Sequence, residues 1–206
     1  KANITDRIYN TTDFRRSQGI AVCLLLDQSG SMSGPKSQNA MLAGMLLAHT
    51  LRKVPNTELE VYCHTTGQYN AKNTCKITYL YGKDQQDIHK ISEYLLQKMS
   101  GNADSQAIKI CGEDFIKKTS FPKKIMIVVS DGEPSEPGGC EGIRLVRDEV
   151  NSLEKKNVEV IQVGIESSSY SAQMFKKRLD YSNLDQFVKN MADLLGRIVR
   201  ENTSYV

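Results

Sequence analysis

The stretch Ile20-Ala-Val-Cys-Leu-Leu-Leu26-Asp27-Gln-Ser29-Gly-Ser31 decides the fold. Its first seven residues are apolar without a break. A run of that length, with no helical periodicity, reads as a strand buried on both faces. An aspartate ends it, and two serines follow at alternate positions. A second run, Lys124-Ile-Met-Ile-Val-Val-Ser130, ends the same way at Asp131-Gly132, and Val158–Ile165 is a third.

Amphipathic helices are expected between these strands. Over 37–53, Met41, Leu42, Met45, Leu46 and Leu51 recur at helical spacing, Arg52 and Lys53 fall in the last turn, and Ser37 is a candidate cap. Over 85–99, Ile88, Ile91, Leu95 and Met99 share a face. Further helices are predicted over 105–118, over 141–156 (Ile143, Val146, Val150, Leu153 inward), near 171–179, and over 184–201 (Phe187, Met191, Leu194, Ile198 inward). Leu59–His64 and Cys75–Tyr81 read as strands joined across Thr65–Thr74, which holds Gly67 and Asn70, an antiparallel hairpin. Apolar strands alternating with amphipathic helices specify an α/β fold. It is a doubly wound, Rossmann-like, mainly parallel sheet with one antiparallel edge strand and helices on both faces. Residues 1–18 are polar and aperiodic and read as an arm or lead-in, which leaves 19–202 as one domain.

In open sheets of this kind, ligands sit beyond the carboxyl ends of the strands. That rule selects the loops after Leu26 and Ser130. The first aims the carboxylate of Asp27 and the hydroxyls of Ser29 and Ser31 into one small volume. The second adds Asp131. A third loop, Asn102-Ala-Asp104, precedes a helix, so Asp104 is either a direct or water-mediated ligand or the cap of a helix starting at Ser105. Asn102 reads as a loop residue and Glu133 as an outer or solvated acid. Oxygen donors of this kind suit Mg²⁺, with Mn²⁺ or Ca²⁺ as substitutes. A coordination position left to water can accept a carboxylate from another molecule.

Asp27-Gln-Ser-Gly-Ser-Met, followed by Val-Val-Ser-Asp131-Gly, resembles the metal-ion-dependent adhesion site of von Willebrand factor A domains, and the resemblance covers roughly 19–200. It implies the doubly wound fold and a role in protein binding. Asn102-Ala-Asp104-Ser-Gln-Ala107 and Val129-Ser-Asp-Gly-Glu-Pro134 further resemble the C-terminal domain of CobT-type cobaltochelatase subunits. That likeness implies an adaptor that docks on a ring-forming AAA+ ATPase through the metal and does not itself insert a metal into a tetrapyrrole. Many adhesion-type domains offer a threonine where this chain offers Asp104. A third acid strengthens the hold on a metal and weakens its pull on a partner's carboxylate.

Other classes find less support. A net charge of +3, from 27 basic and 24 acidic residues, does not point to nucleic acid or a membrane surface. Gly34-Pro-Lys36-Ser37 looks like the end of a phosphate-binding loop, but Pro35 stands where that loop needs glycine. Ser33-Gly-Pro-Lys36 lacks the companion motifs of an acylating serine. His64 and His89 have no partner at ligand spacing, and His49 lies on an apolar helix. A metal-dependent enzyme is therefore the weakest of three readings. The five cysteines are odd in number and widely spaced, with no Cys-x-x-Cys, and read as reduced thiols of a cytoplasmic protein. A Cys63–Cys75 disulfide across the hairpin, or glycan at Asn3, Asn10 or Asn202, would favour an extracellular adhesion domain instead. The chain starts at Lys1 rather than Met, so it reads as a fragment or a processed product.

Overall fold

The computed structural model describes residues 19–69, 72–96, 99–132, 134–135, 137–165, 169–181 and, in part, 186–200. The arm 1–18, Glu133 and the three glycosylation triplets lie outside the described residues. Among the described residues, six strands form one sheet: β1 (Ile20–Asp27), β2 (Thr57–Tyr69), β3 (Lys72–Tyr81), β4 (Lys123–Ser130), β5 (Val158–Ile165) and β6 (Arg178–Tyr181). Their spatial order is β3-β2-β1-β4-β5-β6. All neighbours are parallel except β2 and β3. The expected doubly wound α/β sheet with one antiparallel edge strand is what the chain forms.

Each face of the sheet buries its own core. Leu24, Leu26, Val61, Ile127 and Val163 pack under α1 (Pro35–Leu51) and the 3₁₀ segment Ile88–Leu96. Cys23, Leu25, Tyr62, Met126 and Val160 pack under α2 (Asp104–Lys118), α3 (Gly139–Lys155) and the single turn α4 (Ser171–Met174). β1 lies between β2 and β4 and is buried at every position. Removing each of its leucines from water contributes roughly 1.5–3 kcal/mol, so β1 anchors both layers.

Several elements depart from their sequence reading. The residues expected to form an α-helix over 85–99 instead wind into the 3₁₀ segment, pressed on the core through Ile91 and Tyr94. The hairpin strands run well past their predicted ends, because Thr65–Gly67 pair with Thr74–Lys76 in register. That register also corrects the Cys63–Cys75 pairing. Cys63 faces Thr78 and Cys75 faces Thr66, so the two thiols occupy different rungs. All five cysteines are unpaired. The helix predicted near 171–179 shrinks to α4, and Arg178–Tyr181 becomes the far edge strand, paired with Gln162–Ile165. A four-residue edge strand gives too little periodicity to be read from sequence. Helix α1 begins at Pro35 behind Gly34, whose φ of 76° ends the loop. Ser37 therefore lies inside the first turn, and its Oγ donates to the Gly34 carbonyl at 2.8 Å. Of the helix expected over 184–201, the described positions are helical and Leu194 is buried in the core.

Candidate metal centre

Parallel register puts the chemistry at one end of the sheet. Asp27 closes β1 and stands level with His64 on β2. Both follow residues of the face that packs under α2, Leu25 and Tyr62, so both project to that side. There α2 begins, with Asp104 as its first residue. Its N-cap position is Ala103 and no side chain caps it, so capping does not explain Asp104. One donor atom from each of Asp27, His64 and Asp104 lies within 4.8 Å of the other two, and all three residues are buried.

The D-x-S-x-S loop is held from several sides. The Ser29 amide donates to Asp27 Oδ1 at 2.8 Å, and the hydroxyls of Ser29 and Ser31 sit 3.0 Å apart. The Gly30 amide donates to the Ser100 carbonyl at 2.6 Å. Tyr94 Oη, from the 3₁₀ segment, donates to the Asp27 carbonyl at 2.5 Å, and Gln28 Nε2 donates back to the Tyr94 carbonyl. Ser29 is buried, whereas Gly30 and Ser31 are open to solvent.

The loop carrying Asp104 is fixed equally well. The Thr66 amide donates to the Gly101 carbonyl at 2.9 Å. Asn102, buried to 1% exposure, clasps Ser135 on the loop after Asp131: its amide donates to Ser135 Oγ at 2.9 Å, and the Ser135 amide donates to Asn102 Oδ1 at 2.8 Å. Asn102 is thus a positioning residue rather than a plain loop residue. Asp131 is buried beside Asp27 and Asp104 but outside the tight trio, and its Oδ2 pairs with Lys36 Nζ at 3.6 Å. Gly132 has a φ of 73°, and a side chain there would run into Ser171 Oγ and Gln162 Nε2. Gln162 Nε2 in turn donates to Ser130 Oγ at 3.2 Å, which holds the end of β4.

The electrostatics are those of a site short of positive charge. Burial pushes the Asp27 carboxyl up to about 7; the Ser29 amide partly offsets this, and the negative charge of Asp131 adds to it. Burial, then Asp27 and Asp131, raise Asp104 well above the usual carboxylate range. Burial lowers His64 to about 4, so its imidazole is neutral near pH 7. Asp27 Oδ2, Asp104 Oδ1, Asp131 Oδ1 and both His64 ring nitrogens are buried with no hydrogen-bond partner among the described residues. Each such atom costs about 1–3 kcal/mol if nothing meets it. Among the described residues the three acids face the one ammonium of Lys36, so all three cannot ionise together without further positive charge. A divalent cation supplies that charge and meets the orphaned carboxylate oxygens and one of the two imidazole nitrogens.

Of the expected ligands, the structure brings Asp27 and Asp104 together, pairs Ser29 with Ser31 beside them, and sets Asp131 at the margin. His64, Lys36 and Asn102 were not assigned to the site from sequence. His64 corrects the reading that it lacks a partner, because its neighbours come from another strand and a helix forty residues on. The one signal available was a histidine at the carboxyl end of a predicted strand.

A family profile described as the von Willebrand factor type A domain matches residues 21–199. No match is found among curated proteins. Among solved structures, the pilus adhesin SpaC from Lactobacillus rhamnosus GG, in its open conformation, superposes with a TM-score of 0.73 at 12% identity, covering 88% of this chain and 30% of the adhesin. Manganese-loaded TRAP protein from Plasmodium vivax gives 0.61 at 15% identity, covering 88% and 74%. The conserved hypothetical protein BatB from Bacteroides thetaiotaomicron gives 0.56 at 15% identity, covering 87% and 100%. This chain spans less than a third of the adhesin, and likeness at such identities speaks for the fold.

Proposed function

Because the chain belongs to the von Willebrand factor type A family, whose domains are protein-interaction modules, we propose that it binds a partner protein through a divalent cation held at the ends of β1 and β4. The observation that carries this reading is the set of buried, unpartnered carboxylate oxygens on Asp27, Asp104 and Asp131 beneath a solvent-open Gly30–Ser31 loop. A cation there supplies Lewis acidity toward a carboxylate presented by the partner. Asp27 and Asp104 would hold it, Ser29 would offer a buried hydroxyl and Ser31 one from the exposed side, and Asp131 would orient from the margin through its pairing with Lys36. The oxygen donors by themselves suit Mg²⁺ or Mn²⁺.

Binding is preferred to catalysis because the site's polar groups are spent on the cation. His64, the imidazole at the site, is fully buried and turned into the acids, where it cannot reach a substrate. The segment Asn102–Ala107 favours an AAA+ ATPase as partner, in the manner of CobT-type adaptors, since its acid supports a tighter metal and a softer grip on the partner. Five unpaired cysteines favour a reducing, cytoplasmic setting. Among the described residues, no helix is long and apolar enough to cross a membrane.

The test is titration calorimetry with Mg²⁺ and Mn²⁺ on the wild type and Asp27→Ala, with circular dichroism as a check of folding. Saturable binding that the variant loses supports the site. Partner capture that needs metal and fails with chelator supports the function, and capture indifferent to metal sinks it.

A further inference from the structure

The adhesion-type motif accounts for Asp27, Ser29, Ser31 and Asp131, but it leaves His64 without a part. We infer that His64 is a direct nitrogen ligand of the bound cation, which makes this a mixed nitrogen–oxygen centre that selects a first-row transition-metal dication over Mg²⁺. The inference rests on the metal-dependent reading above and deepens it by naming the ion.

Four observations carry it. First, His64 is 0% exposed, yet neither ring nitrogen has a hydrogen-bond partner among the described residues. Buried imidazoles ordinarily find one, because the lost hydration is otherwise unreturned. Second, its Nε2 lies 3.4 Å from Asp104 Oδ1, and that oxygen too is unpartnered. The two atoms face each other without forming the hydrogen bond that would satisfy both, as expected of two donors aimed at a common third atom. Third, the trio of Asp27, His64 and Asp104 atoms falls within 4.8 Å. Opposite ligands of one small cation stand roughly 4.2 Å apart, so modest side-chain rotation closes the sphere. Fourth, the position is set by the sheet: His64 is the β2 register partner of Asp27, so two donors come from neighbouring rigid strands.

The chemistry follows from ligand type. Mg²⁺ takes hard oxygen donors and sheds water reluctantly. Imidazole adds affinity for Mn²⁺, Co²⁺ and Ni²⁺ in ascending order, and for Zn²⁺ as well, and adds little for Mg²⁺. An imidazole in the inner sphere therefore moves the preference away from Mg²⁺. It also leaves the solvent-open side, at Gly30 and Ser31, as the exchangeable face of the site.

Mn²⁺ is the probe. Pulsed electron paramagnetic resonance on the Mn²⁺-loaded chain reads nitrogen coupling from a bound imidazole, and nitrogen-15 labelling of histidine alone separates it from amide nitrogen. The expected result is a histidine coupling that shifts with the label and vanishes in His64→Gln. In competition, His64→Gln should lower the Co²⁺-to-Mg²⁺ affinity ratio about tenfold or more, with His89→Gln, at an exposed segment, as control. Mn²⁺ bound by the wild type without histidine coupling would overturn the inference and leave the metal-dependent reading standing. No binding of either ion by the wild type would overturn both. The labelled wild-type spectrum decides the matter even if His64→Gln does not fold.

Discussion

Asp27 and His64 stand level on adjacent strands and point into the same volume, yet they belong to different kinds of site residue. Asp27 sits in a local motif. Its loop supplies the amide and the two hydroxyls around it, all within four residues. His64 has no such neighbourhood in the chain: the residue beneath it, Asp104, is forty positions away, and the two meet only because β2 and α2 pack on the same face. A site can thus be half written in consecutive residues and half assembled by the sheet, and the second half can set which ion it takes.

The largest way to break the comparison is Asp27→Ala. Metal affinity should fall more than about a hundredfold, whereas the metal-free domain should keep its fold, because a buried carboxyl that resists ionisation is removed. Calorimetry and thermal unfolding together check this; unfolding of the variant would make Asp27 structural instead.

Next comes Asn102→Ala, which strikes the joint between the two halves. Loss of the Ser135 clasp should cost about 1–3 kcal/mol in denaturant titration and should also weaken metal binding, since Asp104 is held two residues away.

The pH dependence sharpens the electrostatic contrast. The Asp27 carboxyl is raised from 3.8 to about 7 on folding. Below about pH 4 it is protonated in folded and unfolded chains alike. As pH rises toward 7 the unfolded chain loses that proton and the folded chain keeps it, so metal-free stability falls through this window. Metal displaces the proton, and the gain in melting temperature on adding Mn²⁺ should therefore be larger at about pH 8 than at about pH 5.5. Equal gains at both values would mean that Asp27 is not a ligand.

The smallest effect is expected at Lys36→Met. Removing the ammonium 3.6 Å from Asp131 takes away a positive charge that competes with the cation. Affinity for metal should rise a few-fold, on the order of 1 kcal/mol for a buried acid whose lysine partner is partly exposed and so partly screened by solvent. A fall would mean that Lys36 positions Asp131 rather than competing with the ion.

How much of this was legible depends on the distance over which each feature is encoded. The buried strands were plain, because seven unbroken apolar residues with an acid at the end admit few other structures. Asp27, Ser29 and Ser31 were plain for the same local reason. The 3₁₀ winding of Ile88–Leu96 was not, since its apolar face fits either helix type and packing of Ile91 and Tyr94 on the core selects the tighter one. Edge strand β6 was hidden by its length, and the hairpin's extension by polar residues whose ladder hydrogen bonds, not hydrophobicity, carry them.

From the sequence by itself came the parallel sheet, the strand ends at which chemistry gathers, and the carboxylates that make the site anionic, because burial patterns and turn motifs act over a few residues. Only the tertiary structure decided that His64 joins Asp27 and Asp104, that Lys36 offsets Asp131, and that Asn102 and Ser135 tie two loops. Strand register and helix placement are long-range outcomes of packing, and an unpartnered buried nitrogen is visible only once everything around it has a position.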